Sequence, residues 1–397
     1  MRAGELRKDA AVDFSALLDG LEGKDRAARE RLLERLSQDG YTFDELKAAA
    51  DEDRLALLLV ERILGGRYTA KELAQESGLP ATQMLRIRRL LGLPEPAPNE
   101  RVFGEEEIDA AKAISMFLSS GLEEESIAEI TRVLGEGMAR LAATTAAAFV
   151  DAFLEPGDDE DEVAERFAML AEQLIPAFDP VLRAAYRQHL AESVRRGMLS
   201  PAERESGEVA GAQEVTVCFV DMVGFTRLGA QIEAQELGTL ASKLAELATD
   251  VTEPPVRLVK TIGDAAMFVS PDAAAVVSVA LSLLEAVEAA ELPALRAGVA
   301  WGPALQRAGD YYGHAVNLAS RVTGVARPGS VLCTQEVHDV APNRFDWSFA
   351  RKHKLKGMKD QVSLYRARRI EDAASRDESS EKPKKPKADR RRTRAAS

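Results

Sequence analysis

The run Val215-Thr216-Val217-Cys218-Phe219-Val220 ends on Asp221, and Met222-Val223-Gly224-Phe225-Thr226 follows as a glycine-containing turn. The same event recurs downstream. Leu258-Val259-Lys260-Thr261-Ile262 runs into Gly263-Asp264, and a second apolar stretch, Ala265-Ala266-Met267-Phe268-Val269, begins at once. Short apolar runs rich in β-branched residues and bounded by turn residues read as strands. Two strands therefore each deliver an aspartate to a turn. Either acid alone reads most simply as a turn residue. As a pair they suit a hard divalent cation, which takes oxygen from one or two carboxylates and completes its shell with phosphates.

A sheet of this kind needs helices to cover it, and the surrounding order supplies them. Ala234–Leu247 is amphipathic, 257–263 and 265–270 form a hairpin, and Ser270-Pro271-Asp272 caps an Ala/Val/Leu-rich helix reaching about residue 290. Leu295–Ala300 is a further strand. The β-α-β-β-α-β order predicts a ferredoxin-like domain over residues 212–370. Residues 1–180 read as helix after helix, with apolar stripes at Leu32, Leu33 and Leu36 and over 55–64, 106–120 and 124–149. The expected fold class is α+β, an N-terminal all-α domain followed by the ferredoxin-like one. Two domains also fit 397 residues.

Residues 181–211 read as a helical linker. After Pro180 a helix carries Leu182, Tyr186, Leu190, Val194 and Met198 on one face; Gly197 then interrupts it, and Ser200-Pro201-Ala202-Glu203 has the form of a new N-terminus. A hinge or switch belongs there, and a rigid connector fits as well. His189 lies on this helix and is a candidate pH sensor, one of four histidines with His314, His338 and His353. The acid-rich loop Glu155–Glu162 is expected to raise its own carboxyl pKa values through like charge, or to act as a solvated cap.

Tyr68–Pro80 followed by Ala81–Leu91 has the cadence of a helix-turn-helix, with Arg86, Arg88 and Arg89 on the second helix. The acidic surroundings favour a packing module over a DNA reader. The chain carries a net charge of −13, yet from Glu381 onward Lys and Arg outnumber acids eight to two. That Lys-Pro-rich tail, 371–397, is expected to stay disordered. No apolar run approaches the roughly 20 residues of a membrane span, and the opening residues lack a signal-peptide core. A cytoplasmic protein is expected. Cys218 and Cys333 both fall in apolar strands and read as buried structural thiols.

The aspartates have company in Gly309-Asp310-Tyr311-Tyr312-Gly313, in Val316-Asn317-Leu318-Ala319-Ser320-Arg321, and in Lys354-Leu355-Lys356-Gly357. Asn317 and Arg321 are four apart and share a helical face. With Lys260 before Gly263-Asp264, this set in this order resembles the catalytic domain of class III nucleotidyl cyclases. The resemblance implies that Asp221, Asp264 and Met222 hold two Mg²⁺ or Mn²⁺ ions per active site, and that Gly224, Phe225 and Thr226 lie near the triphosphate. It implies Lys260 and Asp310 as the base-selecting pair, Asn317 and Arg321 as the transition-state pair, and Lys356 against the terminal phosphates. A Lys/Asp pair matches adenine, whereas guanylyl cyclases carry Glu and Cys there. ATP is thus the implied substrate, cyclic AMP and pyrophosphate the products, and a homodimer with two composite sites the implied assembly. More weakly, the helical half resembles the regulatory domain of a bacterial subgroup, which implies autoinhibition with a possible pH response. The competing readings are a guanylyl cyclase and a nucleotide-sensing regulator that binds DNA through the helix-turn-helix.

Overall fold

The computed structural model describes residues 12–196 and 211–370, which fall into two compact units divided between Leu199 and Ser200. The hinge expected around Gly197 and Ser200–Glu203 and the tail 371–397 lie outside the described residues.

The first unit is helical throughout. It contains α1 (Gly23–Gln38), α2 (Phe43–Asp51), α3 (Leu58–Leu64), α4 (Ala70–Ser77), α5 (Ala81–Leu90), α6 (Glu105–Ser119), α7 (Glu124–Phe153) and α8 (Glu160–Arg196). Leu32, Leu33 and Leu36 of α1 close over Leu46, Leu55 and Ala164, so the i, i+1, i+4 stripe read in the sequence is a core face. The α4–α5 pair is the anticipated helix-turn-helix. Thr69 and Glu72 cap α4 reciprocally, and Gly78, at φ +75°, ends it in the left-handed conformation that glycine adopts without a Cβ penalty. Its three arginines are engaged within the unit. Arg86 pairs with Glu124 at 2.8 Å, Arg89 with Glu95 at 3.7 Å, and Arg88 donates to the Pro94 carbonyl while its guanidinium lies over Phe103. This is the arrangement of a packing module.

Two expectations change here. First, α8 does not begin after Pro180. It runs unbroken from Glu160, with Pro176 and Pro180 inside it, so the boundary drawn at residue 180 falls within one helix. Each proline removes one backbone bond, and their four-residue spacing puts both defects on the same face, leaving the other rows of the helix to carry it through. Second, the acid loop is paired with arginines and a lysine, and its Asp158 and Asp161 carboxyl pKa values are lowered where like charge is expected to raise them. Lys24–Asp159, Arg29–Glu160, Arg31–Asp161 and Arg35–Glu165 form an ion-pair ladder between α1 and the start of α8, and Arg166 grips Asp158. The hydrogen bonds from Arg166 and from Arg31 hold the Asp158 and Asp161 carboxyls below the usual carboxylate range.

A carboxyl whose folded pKa is lowered stabilises the fold above its unfolded value and loses that contribution as pH falls through the folded one. The Asp158 and Asp161 pairs therefore stay intact at and above about pH 4. Arg31→Ala is expected to lower the melting temperature by about 1–2 °C, equally at neutral and mildly acid pH. A melting shift that vanished between those two conditions would contradict it.

The second unit is a mixed sheet of eight strands: β1 (Gln213–Met222), β2 (Arg257–Ile262), β3 (Ala265–Ser270), β4 (Leu295–Arg307), β5 (Asp310–Gly313), β6 (Ser330–Thr334), β7 (Asp346–Lys354) and β8 (Gln361–Arg368). The order is β2-β3-β1-β4-β6-β8-β7, with β5 folded back on β4. The first four positions are the expected ferredoxin-like arrangement; β6, β8 and β7 extend it.

The helices here are α9 (Phe225–Leu228, one turn), α10 (Ala234–Asp250), α11 (Ala273–Ala289), α12 (His314–Val325) and α13 (Gln335–Val340). Alternation along β1 sorts the faces. Cys218, Val220 and Met222 pack under α10, α11 and α13, while Val215 and Val217 pack under α12. Asp272 caps α11 by accepting from the Ala275 amide, as its sequence predicts. Cys218 and Cys333 are free, fully buried and both in register with Val299 on the strand between them; burial pushes both thiols up and keeps them protonated.

α12 sits unusually close to the sheet. Gly298 of β4 lies beneath it, and a Cβ there would meet the Thr323 amide nitrogen at 2.1 Å and the Ala319 carbonyl oxygen at 2.6 Å. Thr323 Oγ1 also donates toward Phe219 O across the contact, at 3.1 Å. The helix carrying Asn317 and Arg321 is thereby fixed to the strands that carry Asp221 and Arg296.

Candidate active site

The odd-numbered face of β1 that packs under α12 ends at Asp221. Asp221 is in register with Ala265 of β3 on one side and Arg296 of β4 on the other. The two aspartate turns are tied together, since the Met222 amide donates to the Asp264 carbonyl at 3.0 Å. Asp264 consequently sits against the Asp221 carboxylate. Burial, reinforced by the charge on Asp221, raises the Asp264 pKa, while the Arg296 guanidinium opposes the rise.

Arg296 donates from Nε at 2.9 Å and from Nη2 to Asp221 Oδ2. Sequence reasoning missed this residue. The available signal was a lone cation in the second position of an otherwise apolar strand, Leu295-Arg296-Ala297-Gly298-Val299-Ala300.

Met222 reaches the site through its main chain alone, because its side chain is buried in the core beneath α10 and α11. A thioether is in any case a poor ligand for Mg²⁺. Gly224, at φ +82°, turns the chain into the single turn of α9, where Phe225 packs its ring on the same core and Thr226 is exposed.

The base-selecting candidates meet on one face for a specific reason. Residues three apart on a regular strand point to opposite sides, and β2 carries a bulge between Leu258 and Lys260. The bulge puts Lys260 opposite Met267, on the face of Asp221. Asp310 follows the Ala308-Gly309 turn, whose positive φ values of 51° and 80° suit a tight two-residue hairpin between β4 and β5. Lys260 Nζ donates to Asp310 Oδ2, and Asp310 Oδ1 accepts from the Tyr311 amide at 2.8 Å.

A third group forms at α12. Asn317 is exposed and Arg321 half-buried one turn later. The Arg321 guanidinium lies over Gly357 in the turn between β7 and β8, where a Cβ would touch it at 3.4 Å. Lys356 is exposed beside that glycine. His189 lies on the exposed surface of α8 in the helical unit.

The acid pair supplies two carboxylates; among the described residues no cluster of three or more potential metal ligands forms. The donor set fits Mg²⁺ or Mn²⁺ nonetheless, because such ions take one or two carboxylates and fill the shell with main-chain, water and phosphate oxygens. Burial and then the charge of Asp221 disfavour the ionised Asp264 carboxyl, and a divalent cation between the two carboxylates would offset their repulsion.

The family models agree with this division. Residues 10–194 match the adenylate cyclase regulatory domain, and residues 208–367 match the adenylate and guanylate cyclase catalytic domain. The chain is 39% identical over 376 residues to the pH-sensitive adenylate cyclase MT1302 of Mycobacterium tuberculosis, covering 91% of this chain and 92% of that protein. It is 32% identical over 286 residues to an adenylate cyclase of Streptomyces griseus, covering 71% and 70% respectively. Among solved structures, the adenylyl cyclase CyaB from P. aeruginosa is similar over 40% of this chain and 94% of its own, at 21% identity and a TM-score of 0.36. No helix among the described residues is long and apolar enough to cross a membrane. The chain belongs to the class III adenylate cyclases that join an adenylate cyclase regulatory domain to the cyclase catalytic domain.

Proposed function

We propose that the chain converts ATP to 3′,5′-cyclic AMP and pyrophosphate in a homodimer with two composite sites, under control of its helical half. The observation that carries the choice of ATP is the Lys260–Asp310 ion pair. An ammonium donates to adenine N1 and a carboxylate accepts from the 6-amino group, whereas guanine presents a donor at N1 and an acceptor at O6. The ion pair pre-sets both groups before nucleotide arrives.

In this reading Asp221, Asp264 and the Met222 main chain hold two Mg²⁺ or Mn²⁺ ions, which would supply Lewis acidity at the ribose 3′-hydroxyl and at the triphosphate. Asn317 orients the ribose. Arg321 neutralises charge growing on the α-phosphoryl oxygens, and Lys356 meets the terminal phosphates. Arg296 balances Asp221 and keeps its carboxylate aimed at the turn. The assembly is supported by the grouping of the side chains. Asp221 with Asp264 forms one cluster, Lys260 with Asp310 and Arg321 with Lys356 form others, and the exposed cross-strand pair Leu305 and Tyr312 offers apolar surface to a second copy. A C2 dimer placing one chain's acids against the other's Asn317 and Arg321 uses every group once per site.

We assign regulation to residues 1–211 with no boundary at Pro180, catalysis to 212–370, and no catalytic role to the tail. The mycobacterial relative is a pH-sensitive adenylate cyclase, which supports pH-responsive gating, and a cytoplasmic location is part of the same proposal. Product formation from ATP and from GTP, measured from about pH 5.5 to 8 with Mg²⁺ or Mn²⁺, tests the whole reading. Autoinhibition requires a chain beginning near residue 205 to exceed the full chain at some pH.

The guanylyl cyclase alternative gives the same assay a second use. Lys260→Glu combined with Asp310→Cys is expected to shift the ATP-to-GTP ratio of kcat/KM toward GTP by about a hundredfold. An unchanged ratio would remove these residues from base selection.

A further inference from the structure

Among the described residues, Leu305–Arg307 of β4 and Asp310–Tyr312 of β5 pair only with each other in the sheet. A two-stranded ribbon is marginally stable by itself, yet selection between purines demands that the Asp310 carboxylate stay put. Besides Lys260, a second residue of β2 reaches the hairpin. The Arg257 guanidinium lies 5.2 Å from the centre of the Tyr311 ring. With the Gln306 amide assigned so that its oxygen faces Arg257, it accepts from Nη1 and Nη2 at 3.2 and 3.3 Å, while its nitrogen donates to the Tyr311 hydroxyl at 3.2 Å. Gln306 and Tyr311 are themselves cross-strand partners.

The β2 bulge makes this possible. Arg257 is opposite Val269 and Lys260 opposite Met267, both on one face, although they are three positions apart in the chain. Val259 is the extra residue, left without a partner on β3; in a regular strand without this bulge Lys260 and Arg257 would point to opposite sides of the sheet. One edge strand thus holds the hairpin at two points, a catalytic-site ion pair at its tip and a cation stacked on Tyr311 one residue further along.

We infer that Arg257, acting through Gln306 and Tyr311, is a positioning residue that sets base selectivity by fixing the hairpin on which Asp310 rides. The inference rests on the reading of Lys260 and Asp310 as the base-selecting pair. Loss of the anchor frees Asp310 to drift. The carboxylate then accepts less well from the adenine amino group and repels the guanine carbonyl oxygen less.

The test is steady-state kinetics of full-length Arg257→Ala, Arg257→Lys and Tyr311→Leu with Mg²⁺-ATP and Mg²⁺-GTP. Arg257→Ala and Tyr311→Leu are each expected to raise KM for ATP about tenfold and to lower the ATP-to-GTP ratio of kcat/KM by a similar factor, with a smaller change in kcat. Arg257→Lys keeps a cation over the ring but lacks the planar fork, so it should recover part of the loss. Unchanged KM and ratio in both Arg257→Ala and Tyr311→Leu overturn the inference, as does an equal collapse with both nucleotides that Arg257→Lys does not relieve. Lys260→Ala serves as the control. If it alters the ratio while the Arg257 and Tyr311 variants do not, only the anchor is wrong; if it leaves the ratio untouched, the base-selecting reading and the anchor fall together.

Discussion

Asp264→Ala chains and Arg321→Ala chains, each expected to be about a thousandfold less active than wild type alone, are expected to recover roughly a quarter of wild-type cyclic AMP formation when mixed in equal amounts and allowed to exchange, if the proposed composite sites form. The single losses follow from chemistry. Among the described residues, Asp264 and Asp221 are the two carboxylates that meet at the proposed metal site, and in the same proposal the Arg321 guanidinium meets charge that develops on the phosphoryl oxygens. The recovery follows from geometry. Half the mixed dimers are heterodimers, and each of those has one site with both defects and one with neither. Failure to recover, with exchange verified by tagged subunits, would show that Asp264 and Arg321 serve the same site from one chain.

Gly298→Ala is the second large effect, and it comes from a methyl group far from any charge. The added Cβ would lie 2.1 Å from the Thr323 nitrogen and 2.6 Å from the Ala319 carbonyl oxygen, both backbone atoms of α12. A side chain could rotate away; a helix has to move. Overpacking of this kind costs about 1–3 kcal/mol. The displacement also carries Asn317 and Arg321 with it, and if these act as proposed, a shift of about 1 Å costs about a hundredfold in rate. The expected result is a protein that melts several degrees lower and turns over about a hundred times more slowly. Gly324→Ala in the same helix provides the comparison, because a Cβ there meets nothing within 4 Å. If Gly298→Ala kept full kcat, the close seating of α12 would be irrelevant to catalysis.

Much of the catalytic unit was legible because its signals are local. Alternation with period two and abrupt turn residues located β1, β2 and β3, and the Asn317–Arg321 spacing declared a helical face. Asp221 and Asp264 could be paired from sequence for the same reason. What escaped was non-local. Arg296 becomes important only through its register with Asp221, which no window around residue 296 contains. The acids of Glu155–Glu162 read as a like-charged loop or a solvated cap because the cations that pair with Asp159, Glu160 and Asp161 belong to α1, far back in the chain. Pro180 read as a start signal since a local rule cannot see that α8 is already held by Ala164 and Ala171 in buried contacts upstream. The β2 bulge has no composition of its own, and the shared face of Arg257 and Lys260 depends on it.

The buried cysteines have a consequence for how the molecule ages. Both of the chain's thiols lie at the centre of the catalytic sheet, on either side of Val299 and with neither exposed to solvent. Oxidants and alkylating reagents attack thiolates they can reach, so in the closed sheet both sulfurs are shielded. Modification proceeds only as fast as the sheet opens. The two thiols therefore act as a built-in clock for opening of the catalytic sheet.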